Sequence, residues 1–369
     1  MTSFDSGQGL NITADRSPRL FTQTSGMSLI PAQIARFTRT SLRAVKTRDF
    51  DPRATLQTLN AAAEAHVIAV DIGGDKLIAS RYAITKGVLR RVGAGKIRER
   101  TAGAGYLDAL EEAAAQARAD GLPVGVSYAG PIEGTKVLAG MNVPVFMRDL
   151  QSRYGGDFAK VYSPITLAND AEAGTIAASV EAVRRYPASR NVIYVINGSG
   201  IGGAVLKDNV LYATETGHVQ IQDSLNRFRQ RTPCGMFGAE YVCLERVAAS
   251  KSGIEDMWRQ RRGQQLTGKE IAAAYLAGDE FACGLYETSV LVVVHIVMGI
   301  ASAFGLLNEW DETVVVGHGG TFNVPGYSES VRLMLAREVS ARTRMLFTKD
   351  FSLNTCLDGA AIAAARSIP

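Results

Sequence analysis

Two glycine turns set between apolar strands constrain this chain more than any other feature. Residues 67–80 read VIAVDIGGDKLIAS: an apolar strand ends in Asp71, turns on Gly73 and Gly74, and leaves through Lys76 into a second apolar strand. Residues 192–204 read VIYVINGSGIGGA: a strand turns on Gly198, Ser199 and Gly200 and re-emerges through Gly202 and Gly203. Glycines let such turns aim backbone N–H groups at anionic oxygens. An acidic residue at a strand end can hold a metal ion among phosphates. Either turn alone is an ordinary tight turn; two of them, each closing a buried strand, form the skeleton that phosphoryl transfer from a nucleotide requires.

The 369 residues allow two domains and an appendage. With 46% apolar and 21% charged residues, most of the chain is globular. A net charge of +4 points to neither nucleic acid nor a membrane surface, and excludes neither. Cys234, Cys243, Cys283 and Cys356 are too few and too irregularly spaced for a secreted disulfide framework, so a cytoplasmic location is expected. No apolar run reaches the roughly 18 residues of a membrane span. Residues 289–300 are apolar but short and carry His295, and the start lacks a basic-then-apolar signal.

Residues 1–66 differ from the rest. Residues 1–31 are rich in Ser, Thr, Gly and Asn and are expected to be flexible. The spacing of Ile34, Phe37, Leu42 and Val45, with Arg36, Arg39, Arg43 and Lys46 elsewhere, predicts a basic amphipathic helix over 32–48. An arm packed on the body or on a partner subunit is favoured over a DNA-binding segment, since no helix-turn-helix can be laid on it. Beyond residue 66 the pattern predicts strands at 67–71, 76–84 and 88–97, a helix near 103–119, a strand at 123–129 and a short strand over a turn at 133–139. A helix near 146–154, a strand at 164–168 and a helix at 171–184 follow. The series from 191 repeats this order, with helices at 238–250, 268–277 and 280–304, a strand at 312–316, a helix near 327–341, a short strand and a last helix at 358–367.

Three further clusters carry chemistry. Asn169 and Asp170 close an apolar strand and open a helix, the end of a sheet where ligands bind in open α/β folds. Asp170 can accept a hydroxyl proton there, or the pair can simply cap the helix. Glu215, Gly217 and His218 suit a polyhydroxyl ligand, or a surface turn with a structural histidine. Gly317, Gly319 and Gly320 end a buried strand and allow a flat ring such as adenine to approach, or form a plain loop.

In this order the clusters resemble the ROK family of sugar kinases and related repressors. Asp71-Ile72-Gly73-Gly74-Asp75-Lys76 resembles Asp-x-Gly-Gly-Thr-Lys, and residues 198–203 resemble Gly-Thr-Gly-Ile-Gly-Gly. Gly130-Pro131, Asn169-Asp170, Glu215-Thr216-Gly217-His218, residues 317–320 and Asp358-Gly359-Ala360-Ala361 each resemble the family's corresponding motif, over about 67–369. The resemblance implies an α/β, actin-like ATPase (ribonuclease H-like) two-lobe fold. The first lobe would be 67–185, the second 186–357, with the helix at 358–369 returning to the first. It further implies a glucokinase-like enzyme with ATP and Mg²⁺ as cofactors. Asp170 would be the catalytic base, and Asn142, Asn169, Glu215 and His218 would hold the sugar. Either Glu240 or Glu245 would be the glutamate that follows the family's zinc motif. Asp71, Gly73, Gly74, Asp75, Lys76, Gly198, Ser199, Gly200, Gly202, Gly317, Gly319 and Gly320 would hold the nucleotide. A homodimer is implied; membrane and nucleic acid are not expected partners. The alternative is a sugar-responsive regulator or a catalytically silent relative.

The chain also departs from the family. Asp75 puts a carboxylate where a threonine hydroxyl is usual. In the motif Cys-x-Cys-Gly-x-x-Gly-Cys, Cys234, Gly235 and Gly238 fit, but Thr232 and Ala239 replace two cysteines. His218 and Cys234 give two ligands, with Cys243 a third only through an altered loop, so no zinc is expected. Residues 219–233 are polar and basic.

Overall fold

The chain alternates buried strands and helices in two successive series. The computed structural model describes residues 44–62, 64–74, 76–99, 103–140, 143–220, 234, 242–339, 343–351 and 355–367. The expectations placed on 1–43 lie outside these residues. The first series runs β1 (Ala44–Asp49), α1 (Pro52–Ala61), β2 (Ala65–Ile72), β3 (Lys76–Thr85), β4 (Val88–Glu99), α2 (Tyr106–Asp120), β5 (Val124–Tyr128), β6 (Ile132–Glu133), β7 (Lys136–Val137), α3 (Pro144–Tyr154), β8 (Ile165–Asn169) and α4 (Asp170–Arg185). The second runs β9 (Asn191–Asn197), β10 (Ile201–Lys207), β11 (Val210–Thr214), α5 (Glu245–Ala248), α6 (Asp256–Arg262), α7 (Gly268–Leu276), α8 (Glu280–Ala303), β12 (Thr313–His318), α9 (Tyr327–Glu338), β13 (Arg344–Phe347) and α10 (Thr355–Ala365).

The two sheets repeat one plan. In the first, ordered β4-β3-β2-β5-β8, an antiparallel meander carries two parallel strands beside β2. In the second, ordered β1-β11-β10-β9-β12-β13, the meander is β9–β11 and the parallel strands are β12 and β13. The echo read in the sequence is therefore an echo of topology. β1 is an addition to it, an antiparallel edge strand on β11.

Period-two patterning gives each strand two apolar faces. Val67 and Ala69 of β2, Val192 and Tyr194 of β9, and Val314 and Val316 of β12 share one cluster, which also holds α4 and α10. Ile68 and Val70 face the cluster of α2 and α3. Ile193, Val195 and Val315 face that of α5–α9. α4 and α10 thus lie between the sheets. They cross at backbone contact, where a Cβ on Gly359 would stand 1.7 Å from the Ala173 carbonyl oxygen, and α10 sits as close on β5, where a Cβ on Gly125 would stand 1.9 Å from that of Ala360. Only glycine permits these approaches.

Three expectations need correction. Residues 44–48, placed in a basic helix, form β1, and Val45 is 64% exposed, so the helical stripe it was assigned to does not exist there. α1 was not foreseen; Asp51 caps it by accepting the N–H groups of Arg53 and Ala54, with Pro52 opening the first turn. The helix expected at 238–250 is, among described residues, one turn (α5) followed by a π-type turn at Ser250–Glu255 and α6. Gly253 allows this, pressed so close on Ala248 N that a Cβ would lie 2.8 Å away. α8, 24 residues long, does pass the length and hydropathy of a membrane span, but Val290, Val293, Ile296, Val297 and Ile300 are buried in the second sheet's outer core.

Candidate active site

β2, β5 and β8 are parallel neighbours, with Asp71 opposite Ser127 and Tyr128 opposite Asn169. Asp71 and Asn169 therefore end strands on the same edge of the sheet, beside the start of α4. A reciprocal capping box fixes that start: the Asn169 side chain accepts the N–H of Ala171 at 3.0 Å, and Glu172 Oε2 accepts the N–H of Asn169 at 3.2 Å. Asn169 Nδ2 donates to the Gly130 carbonyl at 3.0 Å, which ties the Gly130-Pro131 turn to the same place. Asp170 Oδ1 accepts the Ala171 N–H at 2.8 Å. Capping and a catalytic position thus coexist, with Asn169 as the cap and Asp170 as the first helical residue.

The second sheet closes on this edge. A Cβ on Gly202 would lie 3.9 Å from Cβ of Ala171, which puts the second glycine turn beside the base. Both turns are closed by their own backbone, Gly73 N–H to Lys76 O at 2.9 Å and Gly198 N–H to Gly200 O at 2.9 Å. Gly319, at φ +109°, backs onto Asn197 so closely that a Cβ would sit 2.3 Å from its carbonyl oxygen. That packing sets residues 317–320 against the strand that feeds the second turn.

The electrostatics show that groups from the two sheets face one another. Burial above all, with the charges of Asp71 and Glu215 acting in the same direction, pushes the Asp170 carboxyl up to about 7. Burial and the ammonium of Lys76 hold His318 down to about 4, so its imidazole is neutral at ordinary pH. His318 stacks on Tyr194 with centroids 6.1 Å apart. The Cys356 thiol is pushed up by burial and by Asp71 and Asp170. Asp71, Lys76, Asp170, Glu215 and His318 therefore gather where the two sheets meet. His318, Tyr194 and Cys356 were missed in the sequence, although a histidine inside a glycine run was a visible signal for the first. Carboxylates crowded in this way suit a hard divalent cation, which takes oxygen ligands and relieves their repulsion.

Glu245 Oε2 accepts the N–H of Ile201 at 3.0 Å and braces the second glycine turn. His218 lies in the one-turn helix Thr216–His218, with Nδ1 3.3 Å from Cys234 Sγ. Cys243, which the sequence offered only conditionally as a third ligand, stands with the other two. The ligand atoms of His218, Cys234 and Cys243 lie within 4.8 Å of one another. No fourth side-chain donor joins them among the described residues, and a closed structural zinc site takes four. Burial pushes the Cys243 thiol up to about 12. Asp75, Asn142 and Glu240 lie outside the described residues.

A family model described as ROK family matches residues 67–366. No curated protein matches the sequence. Among solved structures, a ROK hexokinase from Thermus thermophilus is 23% identical with a TM-score of 0.57, covering 82% of this chain and 99% of its own. A ROK family glucokinase from Streptomyces griseus, in complex with glucose and AMPPNP, is 20% identical with a TM-score of 0.57, covering 82% and 100%. A ROK family transcriptional regulator, described as a homologue of the E. coli MLC protein, is 17% identical with a TM-score of 0.56, covering 81% and 78%. The fold they share with this chain is the actin-like ATPase fold.

Proposed function

The chain belongs to the ROK family, and on that premise we propose that it is an ATP-dependent kinase acting on a hydroxyl of a hexose or hexose-like polyol, such as glucose, an amino sugar or a cyclitol. The observation that carries this reading is Asp170, held at the mouth of α4, facing Asp71 and Glu215, with its carboxyl raised to about 7. A base matched to neutral pH has such a value. A pure sugar sensor needs the ring contacts but not the base.

In the proposed reaction Asp170 takes the proton of the acceptor hydroxyl as that oxygen bonds to the γ-phosphorus of ATP, and ADP leaves with the electrons of the broken P–O bond. Asn142, Asn169, Glu215 and His218 orient the ring. The turns at 73–76 and 198–202 receive the phosphates, and residues 317–320 the adenosine side. Mg²⁺, held by Asp71, would neutralise phosphate charge. The second lobe, 186–357, faces the first, 67–185 with the final helix, across this cleft. We place the protein in the cytoplasm as a homodimer.

ADP release from ATP-Mg²⁺ across hexoses, amino sugars and cyclitols tests the proposal. Turnover on at least one acceptor, abolished by Asp170→Asn, is the expected result. Sugar binding without turnover on the whole panel would defeat it. The competing reading is a sugar-responsive regulator, favoured by the basic run at 36–48 and by the regulator among the solved structures. DNA binding that weakens steeply with salt would support it; we expect none.

A further inference from the structure

Among the described residues, Arg48 is the charged side chain that joins the N-terminal strand to the support of the candidate base. It sits on β1, outside residues 67–366, at a register shift between Lys46 and Arg48. Arg48 Nη2 donates to the carbonyl oxygen of Leu167 at 2.8 Å, two residues before Asn169. Arg48 Nε lies 2.5 Å from Oε1 of Glu172, whose side chain is 1% exposed. The other oxygen of that carboxylate holds the Asn169 N–H. One oxygen of Glu172 is thus ion-paired to the second sheet's edge strand without a hydrogen bond, and the other accepts from the backbone that carries Asp170.

The strand is well anchored for this. Phe50 is buried and its N–H donates to Asn209 O at 2.8 Å. Asp51 caps α1, and Arg53 Nη2 donates to the carbonyl oxygens of Pro187 and Ser189 at 2.6 and 2.9 Å. The Arg366 guanidinium lies over the Phe50 ring at 4.9 Å.

We infer that Arg48 is a positioning residue for the base: by gripping Glu172 and the end of β8 it fixes where Asp170 stands relative to the second glycine turn. The inference rests on the kinase reading of Asp170. A planar guanidinium makes both contacts from one side chain, which a lysine does not. Without it, Glu172 is a buried carboxylate with no cation, free to draw the Asn169 backbone out of place. The charged and titratable groups around the two ends are Asp71, Glu215 and Cys356 near Asp170, and Glu172, Arg366 and, beside Arg366, Asp51 near Arg48.

The test compares Arg48→Met, Arg48→Lys, Glu172→Gln and the Arg48→Met/Glu172→Gln double variant. Displacing a reacting group by about 1 Å costs on the order of 100-fold, so kcat of Arg48→Met should fall roughly 10- to 100-fold with KM for ATP changed less than about twofold. Its acid limb should move, since a displaced Asp170 no longer keeps its distance from Asp71 and Glu215, whose charges raise it. The double variant should be no slower than Arg48→Met, because both act through one contact. Arg48→Lys should keep the acid limb and lose part of kcat; it decides the matter on the same readouts if Arg48→Met does not fold. A folded variant with unchanged kcat and acid limb, whatever its melting temperature, overturns the inference. Hydrogen exchange of the 168–173 amides reads the positioning without catalysis: faster exchange in Arg48→Met is expected, and unchanged protection overturns the inference. A wild-type protein with no turnover on any acceptor overturns the kinase reading instead, and the exchange result then decides Arg48 by itself.

Discussion

Asp170→Asn should make the protein more stable at pH 8 while removing its turnover. The folded chain holds a proton on Asp170 up to about pH 7, against 3.8 for the group in the unfolded chain. The unfolded state therefore binds fewer protons between those values, and stability falls as pH rises through them. The shift is about 3 units, and at 1.36 kcal/mol per unit the ionised form costs about 4 kcal/mol at most. The residue keeps some contact with solvent, so about 1–3 kcal/mol is the better expectation. Asparagine carries no charge, and its Oδ1 can still accept the Ala171 N–H. Urea unfolding of both proteins from pH 4 to 8, without ligands, measures the difference, and other titrating groups such as Asp358, raised to about 6, cancel in it. The variant's advantage should be small near pH 4, grow toward pH 7 and then level off. An advantage equal at both ends, or none at pH 8, would refute the argument that burial and like charges strain this carboxylate. The same variant should lose at least about 100-fold in kcat, as removal of a general base does.

Other perturbations probe the same arrangement. Glu215→Gln removes one of the charges acting on Asp170, so the acid limb of kcat should move below about 7 while KM for the sugar rises; a limb that stays put would separate Glu215 from the base. Lys76→Met should raise the titration of His318 from about 4, visible in the imidazole NMR signals, and no movement would mean that the two sides of the cleft do not face each other. Gly359→Ala forces a Cβ onto the Ala173 carbonyl and should cost about 3 kcal/mol or more in urea unfolding, the upper end of overpacking penalties; a neutral result would mean the α4–α10 crossing is looser than described.

Much of the site was legible because its parts are local. A glycine turn after an apolar strand, or an Asn-Asp pair between strand and helix, is written in consecutive residues, and these landed where expected. What was not legible depended on partners far away. β1 has one apolar-to-polar alternation too few to read as a strand, since Val45, Lys46 and Thr47 are all exposed. Its place comes from pairing with β11, a strand 164 positions on at the Thr47–Leu211 contact. Arg48 looked like part of a basic helix face, and nothing beside it in the sequence names Glu172. Asp51-Pro52 does announce α1, through a cap and a pre-set φ, but the apolar stripe behind it is only Leu56 and Leu59, too narrow to read as a helix. Cys243 stands nine positions after Cys234, out of register with the family motif, so its place beside His218 and Cys234 could not be read from the sequence.

The helix wedged between the sheets has a bearing on how the protein is made. Tyr82 and Asp358, which share a buried hydrogen bond, are 276 positions apart. At about 5–20 residues per second, a ribosome delivers the second roughly 15–55 s after the first. Through that interval the inward side of β2 has no cover from α10, and nascent chains stalled in it offer a sticky face to chaperones and to each other.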